Sequence, residues 1–98
     1  MDILIRAIEN ADLTLPLDVG GRYDVMITGR YLYYLISDGT EVHLYRATKI
    51  GPTQYGQVSQ PTTVGCYLPT GKWVWLLDHA TLTAWHKSLE TDHGNSNK

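Results

Sequence analysis

Residues 55–78 read YGQVSQPTTVGCYLPTGKWVWLLD, with Trp73 and Trp75 one residue apart just after the turn-forming run Pro69-Thr70-Gly71. Side chains at i and i+2 share one face of a strand. As a strand, this stretch points Trp73, Trp75 and Leu77 one way and Val74, Leu76 and Asp78 the other. The run RYLYYLIS, residues 30–37, behaves the same way: Tyr31, Tyr33 and Leu35 share a face, with Leu32, Tyr34 and Ile36 opposite. Neither segment has a polar side. A sheet facing water on one side alternates apolar and polar residues, so strands apolar on both faces are central in a sandwich or present one face to a partner.

Outward from this stretch, glycine and proline recur at short intervals: Pro16, Gly20-Gly21, Gly29, Gly39, Gly51-Pro52, Gly56, Pro61, Gly65, Pro69 and Gly71. The intervals are rich in Val, Ile, Leu, Thr, Tyr and Trp, which suit pleated, half-buried strands. The pattern predicts eight short strands near residues 2–8, 12–17, 22–28, 31–37, 41–47, 62–68, 72–78 and 81–88. Such spacing implies an all-β chain, a β-sandwich or small barrel. At the amino end, Ile3, Leu4, Ala7 and Ile8 fit a helical stripe and Ile3, Ile5 and Ala7 fit a strand face; the strand is preferred. Residues 40–50 show neither period cleanly. Residues 1–90 form the domain, and the polar stretch TDHGNSNK, residues 91–98, lacks an apolar anchor and is expected to be a disordered tail.

Length and charge narrow the function classes. Ninety-eight residues, 43% apolar and 18% charged, suit one globular domain. Eight Lys and Arg against ten Asp and Glu give a formal charge of −2 without a basic stripe, so direct binding of nucleic acid is not expected. A lone cysteine, Cys66, supplies neither an internal disulfide nor paired zinc thiolates. The opening MDILIRAIEN carries Asp2, Arg6 and Glu9, unlike a signal peptide or a membrane span, which points to a cytoplasmic protein without a membrane partner.

The stretch also carries a pattern: Tyr55-Gly56, Pro61, the apolar run Val64–Leu68, Pro69, then Gly71-Lys72-Trp73 and a run from Val74 to Asp78. In these residues, and more loosely in LDVGGRYDVMIT and in LISD followed by VHLYRATKIG, the chain resembles a small bacterial β-sandwich domain family of unknown function, found alone or joined to TIR-type signalling domains. Where that family usually has a glycine pair after the aspartate, this chain has His79-Ala80. The resemblance implies an all-β fold, a single antiparallel β-sandwich that is jelly-roll-like, and no particular chemistry.

No catalytic residues, metal ligands or cofactor are assigned. Cys66 with His79 and Asp78 has the residue types of a nucleophilic triad, but Cys66 lies in an apolar run and reads as a small, inert, buried hydrophobe. His43, His79, His86 and His93 lack metal-ligand spacing, although His79 and His86 would meet across a hairpin. Asp18, Asp24, Asp38, Glu41 and Asp78 sit by glycines or at strand ends, where carboxylates serve turns. Arg22, Arg30 and Arg46 read as solvated or paired surface charges. The expected function is therefore a non-enzymatic binding or sensing module that engages a protein partner, or its own copy, through an aromatic surface of Tyr31, Tyr33, Tyr34 and Trp73 with Arg30. Trp75 is placed in the core because Leu77 continues its face, and Trp73 is placed partly outside because it follows the Gly71 turn. Two other classes fit the composition: a phage- or mobile-element-encoded inhibitor of a host defence enzyme, and a carbohydrate-binding jelly roll.

Overall fold

Six strands form one antiparallel sheet, curled into a half-barrel, in the computed structural model, which describes residues 2–11 and 17–96. The strands are β1 (Arg22–Ile27), β2 (Tyr31–Ser37), β3 (Glu41–Lys49), β4 (Tyr55–Gly56), β5 (Thr62–Tyr67) and β6 (Trp73–Trp75). They run in the order β1-β2-β3-β5-β6, and β4 pairs with β3 beyond the end of β5. Helices α1 (Asp2–Asn10) and α2 (His79–Ser96) complete the chain. The β-rich expectation holds. A second sheet is absent among the described residues, and helices take the place a second sheet would occupy.

Register assigns the faces. Leu35 pairs with Leu44, Tyr33 with Arg46 and Ser37 with Val42, which puts these side chains on the face under the helices. Leu4, Ile8 and Ala11 from the amino-terminal segment and Leu82, Trp85 and Leu89 from α2 bury against Leu35, Val42, Leu44, Val64 and Tyr67. On the opposite face Leu32, Tyr34 and Ala47 are buried among Ile36, Tyr45 and Tyr55. Strand β2 is apolar on both sides because each side has its own cluster, not because it is sandwiched between sheets.

Two expected strands are helices. In residues 2–8 a strand would divide Leu4 and Ile8 from Ile5, whereas a helix brings Leu4, Ile8 and Ala11 into one buried line and leaves Ile3, Arg6 and Glu9 outside. In residues 81–88 the stripe is Leu82, Trp85, His86 and Leu89, spaced i, i+3, i+4, i+7, and Asp78 caps its start. Of the strand expected at 12–17, residues 12–16 lie outside the described residues. Residues 91–96, expected as tail, continue α2, and 97 and 98 lie outside the description. The segment 41–49, ambiguous by period, is the longest strand, and β4 is an addition the sequence pattern did not signal.

The β5–β6 hairpin positions the site. Leu68 N–H donates to the Lys72 carbonyl at 2.8 Å and Gly71 N–H to the Leu68 carbonyl at 2.7 Å, with Gly71 at φ 89°. Proline presets the first turn residue, and glycine supplies the left-handed one that closes a three-residue hairpin loop. In β5 a bulge at Val64 shifts the register between Val42 and His43, so that Val64 joins the core alongside the helix-facing Tyr67.

Candidate partner-binding cleft

Register places Trp73 opposite Tyr67 and Trp75 opposite Gly65, all on the helix side of the sheet. Gly65 has no side chain, and the Trp73 indole occupies the vacant space: an added Cβ would meet two of its ring carbons at 2.5 and 2.7 Å. Trp73 also packs against Tyr67, with ring centroids 4.9 Å apart, and is half-buried at the edge of the core. Its Nε1 is buried without a hydrogen-bond partner among the described residues. Trp75, with the space over Gly65 taken, stands edge-on to Trp73 at 5.3 Å and 86° and is 46% exposed. The expectation for Trp75 is thus overturned, since it stands at the surface and not in the core, while Trp73, expected partly outside, is half-buried at the core's edge.

Trp75 forms one wall of a cleft of about 470 Å³ between α1 and the start of α2. Ile5, Ile8, Leu77 and Leu82 supply its apolar lining, and Glu9, Asp78 and His79 supply its polar groups. Asp78 caps α2: its Oδ1 accepts the Thr81 N–H at 2.7 Å, and the Leu82 N–H donates to its carbonyl at 3.0 Å. The Thr81 bonds hold the Asp78 carboxyl below the ordinary range, so it stays charged at neutral pH. Leu76 and Leu68, both more than 40% exposed, alternate to the other face of the same hairpin, away from the cleft.

The other expected surface residues scatter. Tyr33 is 3% and Tyr34 8% exposed, on opposite faces of the sheet. Tyr34 stacks on Tyr45 at 5.6 Å, and burial raises its phenol pKa. Tyr31 is half-buried beneath the Arg46 guanidinium, 3.8 Å from its ring centroid. Arg30 is exposed in the β1–β2 turn, where its carbonyl accepts the Lys49 N–H at 2.7 Å. Of the five expected contact residues, Trp73 alone adjoins the cleft, through Trp75.

Beneath α2 lies a partly buried polar network that the sequence did not reveal. Arg46, expected at the surface, is 7% exposed and bonds Glu90 at 2.9 Å. The Tyr33 hydroxyl lies 3.2 Å from His86 Nε2 with the rings stacked, and Trp85 Nε1–H donates to the Gln60 carbonyl at 2.9 Å. Burial raises the Tyr33 pKa, and burial together with the Arg46 charge lowers that of His86. Burial alone would lower the Arg46 pKa, but Glu90 and Tyr33 outweigh it and hold the guanidinium charged. Polar groups on β2 and β3 are matched by polar groups on α2, so the network fixes the helix on the sheet.

The remaining chemical candidates separate. Cys66 is half-buried, not buried, and its register partners Glu41 and Val74 place it on the face away from the helices, across the sheet from the cleft that His79 and Asp78 line. His79 and His86 lie about two turns apart on α2 and do not meet across a hairpin. Asp38 serves its turn, accepting the Thr40 and Glu41 N–H groups at 3.0 and 2.8 Å, bonds that hold its pKa down. With Glu41 and His43 it forms a group whose potential ligand atoms lie within 4.8 Å of one another. His43 Nδ1 there lies 3.1 Å from the Thr63 hydroxyl. No described helix is long and apolar enough to cross a membrane. No protein-family model, curated protein or solved structure matches the chain.

Proposed function

We propose that the chain is a non-enzymatic binding module that engages a protein partner by accepting an apolar side chain into the cleft beside Trp75. The observation that carries this reading is a large aromatic left 46% exposed at the wall of a cleft of about 470 Å³. Tryptophan is over-represented among the residues that dominate binding energy, and exposed apolar surface of this kind marks interaction sites. The cleft also has the mostly apolar lining and few polar groups typical of recognition sites. Glu9 and the charged Asp78 favour a lysine or arginine beside the inserted group.

Selection of a displayed peptide library against the immobilised chain tests the proposal. Enriched peptides are expected to combine an aromatic or aliphatic residue with a neighbouring Lys or Arg. They should lose at least tenfold in affinity for Trp75→Ala and keep it for Ile27→Ala, an exposed apolar residue away from the cleft. Peptides that bind wild type and Trp75→Ala equally would remove the cleft from the function.

A further inference from the structure

We propose that two copies of the chain associate through the outer edge of β6, the strand pairing antiparallel with its own copy about a two-fold axis at Val74. The inference begins from backbone geometry and does not depend on the partner-binding cleft. Leu68 N–H donates to the Lys72 carbonyl and Leu76 N–H to the Val64 carbonyl, at 2.8 and 3.0 Å, so 68/72 and 64/76 are hydrogen-bonded pairs of the β5–β6 ladder. Alternation along an antiparallel ladder makes Cys66/Val74 the bonded pair between them. The N–H and C=O groups of Val74 therefore face β5, and those of Trp73 and Trp75 face outward. No described strand pairs with β6 on that side.

An extended strand is what such an edge accepts, and a second copy of β6 matches it position by position. With Val74 opposite Val74 of the second copy, Trp73 lies opposite Trp75 and Trp75 opposite Trp73. Those are the residues with outward groups, so four N–H···O=C bonds form in a self-complementary, closed pair. Side chains agree with this register. Each half-exposed Trp75 meets a Trp73 of the second copy on the helix side, and the two Val74 side chains meet on the other. The apolar run 73–77 is flanked by Lys72 and Asp78, so antiparallel pairing brings the lysine of one copy towards the aspartate end of the other.

The opposite edge of the sheet is built differently. Strand β1 carries a bulge between Asp24 and Met26 and an Arg22–Asp24 ion pair at 2.9 Å, features that discourage edge pairing. Strand β6 has a regular register and no charge within it. Because Trp75 also walls the cleft, pairing would set two clefts side by side.

Sedimentation equilibrium of the full chain over a wide concentration range tests the proposal. The expected result is a mass rising to twice the 11.0 kDa of one chain. Val74→Lys and Val74→Glu, each opposing like charges across the axis, should each weaken association at least tenfold, and an equimolar mixture of the two should restore the dimer. On the wild-type chain, hydrogen exchange gives a second measurement: the Trp73 and Trp75 amides should slow as concentration rises, while the Val74 amide stays slow throughout. A monomer at every concentration, a dimer indifferent to both Val74 variants, a mixture that stays monomeric, or tryptophan amides indifferent to concentration would overturn the proposal.

Discussion

Replacing Gly65 with alanine tests the packing that decides which tryptophan faces outward. The new methyl group would meet two indole carbons of Trp73 at 2.5 and 2.7 Å and would also press on the Val74 carbonyl oxygen. Neither neighbour yields readily. The carbonyl belongs to the backbone of β6, and the indole is wedged between Tyr67 and Trp75, with ring centroids at 4.9 and 5.3 Å. Overpacking of this kind costs about 1–3 kcal/mol, and a backbone clash places it near the upper figure. For a domain of this length each kcal/mol lowers Tm by roughly 4–8 °C, so the expected loss is about 12–24 °C. Thermal unfolding followed by circular dichroism reads it, with urea titration as a second measure.

The double variant isolates the cause. In a Trp73→Ala background the indole is gone and only the carbonyl contact remains, so adding Gly65→Ala should cost less than it does in the wild type, by about 0.5–3 kcal/mol of coupling. A wild-type Tm for Gly65→Ala, or strictly additive losses in the double variant, would refute the claim that the Trp73 ring lies over Gly65.

The two tryptophans should separate in melting experiments: Trp73→Ala should lose about 3–5 kcal/mol of stability, and Trp75→Ala under about 1 kcal/mol. Asp78→Ala removes the cap of α2 and should lower stability by about 1 kcal/mol in urea titration, with Asp78→Asn or Asp78→Ser recovering most of it. Burial and Arg46 hold the His86 pKa below its ordinary value, so as pH falls through about 6.5 the unfolded chain gains a proton before the folded chain does. That contribution is complete above this pH and is lost progressively below it, down to the folded pKa. His86→Gln should therefore flatten the decline of the urea midpoint between about pH 7.5 and pH 5.5 relative to wild type.

Legibility in the sequence follows from how far apart the deciding residues lie. Strands β1, β2 and β5 and the Pro69–Gly71 turn are readable because strand propensity and turn chemistry are local, whereas β3, ambiguous by period, is marked mainly by the turns that bound it. Helix α2 is also locally encoded: residues 72–93 hold neither Gly nor Pro, and Asp78 caps the backbone of Thr81 ahead of the Leu82, Trp85, Leu89 stripe. What hides it is the β-prone run Thr81-Leu82-Thr83, which matches a strand over a short window. For α1, nine residues are too few for either period to exclude the other, and the choice falls to the sheet that buries Leu4 and Ile8.

The site is harder to read because no single strand contains it. Arg46, Tyr33, His86 and Glu90 become a partly buried network only once α2 lies across β2 and β3, and each alone looks like a surface or core residue of its own segment. Trp73 and Trp75 share a face of β6, and nothing within KWVWLLD distinguishes them. Gly65, on the neighbouring strand, does so by leaving a space that one indole fills and the other cannot. Cross-strand neighbours are the unit of sheet packing, so the exposure of Trp75 is specified by a missing side chain across the hairpin and by the register set at the Gly71 turn. The residue that makes the surface available is therefore one that lies outside the proposed binding surface.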